Sequence, residues 1–258
     1  MSSDWLVLID HPASGAWNMA LDAALLLAAT REGTCALRLY AWDPPTLSFG
    51  RNEPALRRYD RDLIAARGLA VVRRPTGGRA VWHHREVTYA VAAPSSVFGS
   101  LRDTYREIHA MLAGALTSLG AAVLLAADRP ADGVGAGACF ASAAGGEVMA
   151  LRGGKVVGSA QVRGDGAFLQ HGSVLLAADQ DVVAGVTVGD AGAPSATGVA
   201  DLVPPERADW RAVSEAIHRA AMARWGAPQQ AGVVPAGVAR AARDLAATYA
   251  DAAWTWGR

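Results

Sequence analysis

The stretch GGKVVGSAQVRGDGAFLQHGSVLL, Gly153 to Leu176, is where the fold is decided. Two runs rich in apolar and β-branched residues, KVVGSAQV and AFLQHGSVLL, flank the turn RGDG, and EVMAL with the turn RGG precedes them. Short apolar runs punctuated by Gly-rich turns read as consecutive antiparallel strands. A three-stranded meander is therefore expected, with Lys155 starting its middle strand. Lys155 is also the only lysine of the chain; the other 23 of its 24 basic residues are arginine. Arginine is a planar fork of fixed charge, whereas lysine is a compact point charge whose pKa responds to desolvation. A position that keeps lysine in an arginine-rich chain is a candidate for chemistry.

On the N-terminal side, Ser14 or Asn18 can cap a helix through AWNMALDAALLLAAT, where Trp17, Leu21, Ala24, Leu25 and Ala28 recur at helical spacing. TCALRLYAW alternates as a strand, and WDPPTLSFGR supplies a Pro-Pro turn and a second short strand. Leu56 to Arg67 reads as one helix ended at Gly68. LAVVRR is a strand entering the loop PTGGR, and AVWHHREVTYAVAAP returns as another. Leu101 to Leu119 forms a helix with Ile108, Met111, Leu112 and Leu116 on one face, and Ala126 to Gly137 lacks periodicity and reads as a loop. Beyond the meander, Gly185 to Pro205 is turn-rich, followed by helices through DWRAVSEAIHRAAMARWG and GVARAARDLAATYADAAW.

At 258 residues and 52% hydrophobic content, the chain can bury a full core. One principal domain is expected over residues 1–205, with 206–258 a helical extension packed on it. Formal net charge is zero and no long run of one sign occurs, so composition leaves no footprint for nucleic acid or an anionic membrane. The start MSSDWLVLIDHP lacks a basic segment followed by an apolar core, and nothing approaches the roughly 18 apolar residues of a membrane span. A soluble cytoplasmic protein is expected. Cys35 and Cys139 share no paired spacing for a disulfide framework or a metal.

RRPTGGR, Arg73 to Arg79, can present glycine backbone N–H groups and guanidinium groups to a phosphate, carboxylate or thioester carbonyl. Alone, it reads as readily as a turn with exposed arginines. His83 and His84 point to opposite strand faces, so at most one faces a site. Cys139, in GAGACFAS, is a candidate acyl acceptor whose thiol a nearby cation would activate; Cys35, in an apolar strand, reads as a core residue. His171 can contact substrate or satisfy a buried group.

Taken in order, RRPTGGRAVWHHREVTYAV, ACF and GGKVVGSAQVRGDGAFLQHGSVLL resemble the lipoate–protein ligase branch of the biotin/lipoyl ligase superfamily, and within it the cysteine-dependent octanoyltransferases. DHPASGAWNMALDAALL and PPTLSFGR resemble the same family's N-terminal segments. The resemblance implies an α/β (α+β) fold with a mixed, largely antiparallel sheet flanked by helices, and a catalytic domain over residues 1–205. It implies Cys139 and Lys155 as catalytic residues. Arg73, Arg74, Thr76, Gly77, Gly78, Arg79, His84, Gly158, Ser159, Ala160 and His171 would line an acyl tunnel. The implied donor is octanoyl-acyl carrier protein and the acceptor a lysine of a lipoyl-domain protein such as glycine cleavage H protein, with no cofactor and no metal. Arg79 after Gly77-Gly78, where the ATP-using ligases resemble SGGGA, and the Cys139-Phe140 context favour transfer over ligation. The rivals are an ATP- and magnesium-dependent lipoate ligase and a non-catalytic acyl-binding homologue.

Overall fold

The computed structural model describes residues 4–126, 146–189 and 195–257. Cys139, Phe140 and nearly all of the expected loop from Ala126 to Gly137 lie outside the described residues. In chain order the elements are β1 (Trp5–Ile9), α1 (Gly15–Glu32), β2 (Cys35–Tyr40), β3 (Thr46–Phe49), α2 (Ala55–Arg58), α3 (Arg61–Ala66), β4 (Ala70–Arg73), β5 (Val81–His83) and β6 (Glu86–Pro94). Then come α4 (Leu101–Ser118), β7 (Val123–Leu125), β8 (Val148–Ala150), β9 (Val157–Gly164), β10 (Ala167–Leu175), α5 (Asp181–Ala184), α6 (Trp210–Trp225), α7 (Ala236–Ala250) and α8 (Ala252–Trp256).

The main sheet runs β1-β2-β6-β10-β9, a smaller one runs β4-β3-β5, and β7 pairs with β8. Only β1–β2 and β3–β4 are parallel among these pairings, so the sheets are mixed and largely antiparallel, as expected. Period-2 alternation divides the main sheet into two apolar faces. Val87, Tyr89 and Val91 of β6 join Ile108, Met111 and Leu112 of α4 and Val213 and Ile217 of α6 in one cluster. Ala90 and Ala92 face the other way, onto Leu21, Leu25 and Ala28 of α1 and Val238 and Ala242 of α7. The caps are as the residue types dictate: Ser14 accepts from the Trp17 amide, and Ser100 with Asp103 makes a capping box on α4. Among the described residues no helix is long and apolar enough to cross a membrane.

Three expected elements are rearranged. The helix expected over Leu56 to Arg67 is broken at Tyr59–Asp60. Tyr59 bridges Thr187 and sends its hydroxyl to Glu53, and the Asp60 carboxylate caps the new helix at the Leu63 amide. AVWHHREVTYAVAAP is two strands in two sheets: the chain turns at His84–Arg85, where the Arg85 carbonyl accepts the Leu176 and Ala177 amides. The meander is incomplete because EVMAL pairs mainly with β7. Lys155 therefore precedes β9 rather than starting it, held by isolated bridges to Met149 on one side and Ala196 on the other.

Candidate active site

A narrow cavity of about 20 Å³ lies where α1, the main sheet and the small sheet meet. Met19, Tyr40, Trp42 and Val81 bring apolar surface to it, and Gly158, Ser159 and Ala160 line it from β9. Several polar side chains also line it, yet their polar atoms are spent on one another. The Ser48 hydroxyl lies 2.7 Å from His83 Nε2, and His83 Nδ1 is 2.8 Å from the Glu86 carboxylate. Thr76 Oγ1 lies 2.6 Å from His171 Nε2, and His171 Nδ1 is 2.8 Å from Asp22. A carboxylate accepts only, so His171 Nδ1 donates to Asp22 and Nε2 of the neutral ring accepts from Thr76. Burial pushes His171 below the usual imidazole range, against the pull of Asp22. Burial alone would raise the Asp22 carboxyl, but His171, Arg38 and Tyr40 outweigh it and hold the pKa low. Closed networks of this kind leave ring and methylene surface toward the cavity, a lining suited to an alkyl chain.

The RRPTGGR loop is folded onto itself. Arg74 donates to the carbonyls of Gly77 at 2.8 Å and Arg79 at 2.6 Å, and to the Ser48 hydroxyl at 3.0 Å. Gly78 has φ +92°, and the loop is seated so closely on Gly50 that a Cβ at Gly50 would collide with the Gly78 carbonyl. These arginines are buried or half-buried, so the exposed-turn reading fails for this motif. Arg73 is corrected as a cavity residue: it is 1% exposed and donates to the carbonyls of Glu53, Trp254 and Thr255, away from the cavity. His84 is corrected too. Its side chain is 45% exposed and pairs with Asp179 on the outside, whereas His83 lines the cavity and stacks on Trp42 with centroids 4.0 Å apart. Strand alternation allowed one inward histidine, and the β5 register selects His83.

Lys155 lies on the other side of the sheet, the α4 side. Its Nζ is 2.5 Å from Glu147 Oε1, with the two side chains 3% and 5% exposed. Tyr105 and His109, one turn apart on α4, pack with their rings tilted at 41° and centroids 4.1 Å apart; the Tyr105 hydroxyl reaches Glu147 and His109 reaches Ser159. Opposite Ser159 in β10 stands Gly172, and opposite Gly172 in β6 stands Tyr89. A Cβ at Gly172 would press on both Ser159 Oγ and the Tyr89 ring; its absence lets the Tyr89 and Ser159 hydroxyls meet at 2.6 Å. The structure thus brings Thr76, Gly158, Ser159, Ala160, Arg74 and His171 together around the two faces of β9 and β10, with Lys155 at the approach to β9. Asp22, His83, Tyr89, His109 and Glu147 join them without having been singled out from sequence as site residues.

A sequence model described as the lipoyl protein ligase A/B catalytic domain matches residues 14–210. Octanoyltransferase LipM of Kyrpidia tusciae is 43% identical over 190 residues, which span 69% of this chain and 68% of that protein. Octanoyltransferase LipM of Symbiobacterium thermophilum is 41% identical over 187 residues, again 69% of this chain and 68% of the relative. Among solved structures, a lipoate-protein ligase A bound with ATP superposes with a TM-score of 0.83 at 21% identity, covering 100% of this chain and 99% of that one. A bi-partite lipoate protein ligase from Thermoplasma acidophilum superposes with a TM-score of 0.80 at 20% identity, covering 99% and 97%. At such identities the superpositions speak for the fold.

Proposed function

This chain belongs to the lipoyl protein ligase A/B catalytic domain family, and from that premise we propose that it is an octanoyltransferase of lipoate biosynthesis. The donor is octanoyl-acyl carrier protein. In the first step the Cys139 thiolate attacks the thioester carbonyl, a new C–S bond forms, and the carrier thiolate leaves. In the second, the ε-amine of a lysine on a lipoyl-domain protein, glycine cleavage H protein or similar, attacks the acyl-enzyme. The C–N bond forms, the C–S bond to Cys139 breaks, and the proton lost by the amine is taken up as the thiolate departs. Lys155 supplies a compact positive charge, stabilising the thiolate and then the oxyanion of each tetrahedral intermediate. Thioester to amide runs downhill, so the reaction uses neither ATP nor magnesium.

The observation that carries this reading is the buried Lys155. A lone lysine, 3% exposed and held by a carboxylate, is an expensive charge to keep inside a fold unless something there uses it. The test is transfer from octanoyl-acyl carrier protein to apo H protein with ATP and magnesium omitted, read by intact mass. Octanoylated acceptor and an octanoyl adduct on the enzyme are expected. Obligatory ATP, with free lipoate attached and AMP released, would replace this reading with the ligase; ligand binding with neither product would make the chain an acyl-binding homologue.

A further inference from the structure

Both ring nitrogens of His109 are engaged: Nδ1 lies 2.8 Å from the Gly146 carbonyl oxygen and Nε2 2.7 Å from Ser159 Oγ. A carbonyl only accepts, so Nδ1 carries a proton. Burial, opposed by the Gly146 hydrogen bond and reinforced by the Lys155 charge, pushes the His109 pKa down to about 3, so the ring is neutral. Nε2 is then an acceptor, and the Ser159 hydroxyl must donate to it. Having spent its one hydrogen, Ser159 accepts from the Tyr89 hydroxyl at 2.6 Å, and Tyr89 in turn accepts from Gln170 Nε2 at 2.8 Å. Every bond of the chain points the same way, from Gln170 to Gly146.

The polarity decides what the chain can do. Its last acceptor is a peptide carbonyl, which does not take up a proton, so no proton is relayed through it. It can hold the backbone. The Gly146 amide donates to the Ala126 carbonyl at 2.9 Å, and the Ala126 amide to the Glu147 carbonyl at 2.7 Å. The residue after Gly146 is Glu147, whose carboxylate meets Lys155.

We propose that His109 is a positioning residue for Lys155: its Nδ1–H fixes the Gly146 carbonyl, and through it the Glu147 carboxylate and the ammonium that carboxylate holds. The activity arm of the test rests on the octanoyl-transfer reading; the spectroscopic arm does not.

Because Lys155 is the only lysine, protein grown on 13C-labelled lysine gives a single lysine Cε–Hε signal in a two-dimensional NMR spectrum. Asparagine places a donor near the position of Nδ1, and glutamine places an acceptor near that of Nε2. His109→Asn should therefore keep the Lys155 signal where it is in the parent protein and keep transfer activity. His109→Gln and His109→Leu should both displace the signal, and lower kcat roughly 10- to 100-fold with little change in KM. Two such variants leave a result if one fails to fold. Should Asn and Gln perturb the signal equally, or Gln and Leu leave it unmoved, the imidazole is a filler and the proposal is overturned. If the parent protein shows no octanoyl transfer at all, the functional reading falls while the lysine signal still judges this one.

Discussion

The Lys155 ammonium and the Glu147 carboxylate sit 2.5 Å apart in a compartment that excludes nearly all solvent from both. Removing one partner of such a pair leaves an uncompensated buried charge, which costs about 3–5 kcal/mol, whereas replacing both by apolar groups is often close to neutral. Glu147→Leu should therefore lower stability by about that amount, and the double variant Glu147→Leu with Lys155→Met should recover most of it while remaining without transfer activity. Urea unfolding of the three proteins checks the order. A double variant no more stable than Glu147→Leu would contradict it.

Lys155→Arg should be nearly as damaging to octanoyl transfer as Lys155→Ala. The Lys155 ammonium is buried against Glu147, which also receives the Tyr105 hydroxyl, and a guanidinium there brings a wide plane and five donors that need partners. Turnover in the arginine variant equal to that of the parent protein would remove the case for point-charge geometry.

Octanoylation should map to Cys139 and not to Cys35. Cys35 is 3% exposed within β2, part of the apolar cluster beneath α4 and α6. Cys139→Ser should abolish the adduct in an intact-mass measurement, and Cys35→Ser should leave it in place. An adduct that persists on the Cys139→Ser protein would rule out the thioester intermediate.

Stability should fall as the pH drops through the histidine range. Burial holds His109 down at about 3, with Lys155 adding to the effect, and burial also lowers His171 against the pull of Asp22. In the unfolded chain each imidazole takes up a proton near pH 6.5, but in the folded protein neither does until lower pH. The unfolded state then binds more protons, so the stabilising contribution is complete above about pH 6.5; for His109 it is lost at about 1.4 kcal/mol per pH unit from there toward about pH 3, and His171 contributes a loss of the same sign. Urea midpoints taken from neutral pH downward test this, and His109→Asn should remove one of the two slopes. A midpoint that held steady or rose toward acid would show that these rings are not neutral when folded.

Local patterns were legible because one turn of chain sets them. The apolar spacing of α1 and α4, the Ser14 and Ser100 caps and the turn between β9 and β10 need no distant partner to declare themselves. The break between β5 and β6 was not legible, since it depends on the Arg85 carbonyl accepting amides from Leu176 and Ala177, far along the chain. The choice between His83 and His84 failed for the same reason: alternation says that one points inward, but the register of β5 on the distant β3, where His83 pairs with Thr46, selects which. Lys155 announced itself by being the sole lysine. Glu147 and His109 did not, though His109 lies one turn beyond Tyr105 and beside Ile108 on the buried side of α4, and Asp22 interrupts the apolar stripe of α1. A carboxylate or imidazole on a buried helix face needs a partner, and that need is a readable signal.

Arg73 donates through Nε to the carbonyls of Trp254 and Thr255, and the Trp254 indole returns a hydrogen bond to the Arg73 carbonyl at 3.0 Å. The residue next to Arg73 is Arg74, which laces the Gly-Gly loop beside the cavity. The short helix α8 is thus a keystone, set in place after everything it braces. During synthesis these hydrogen bonds can form only when residues some 180 positions downstream of Arg73 have left the ribosome. Until then a chain that already carries Cys139 and Lys155 lacks the brace behind the loop that borders its cavity.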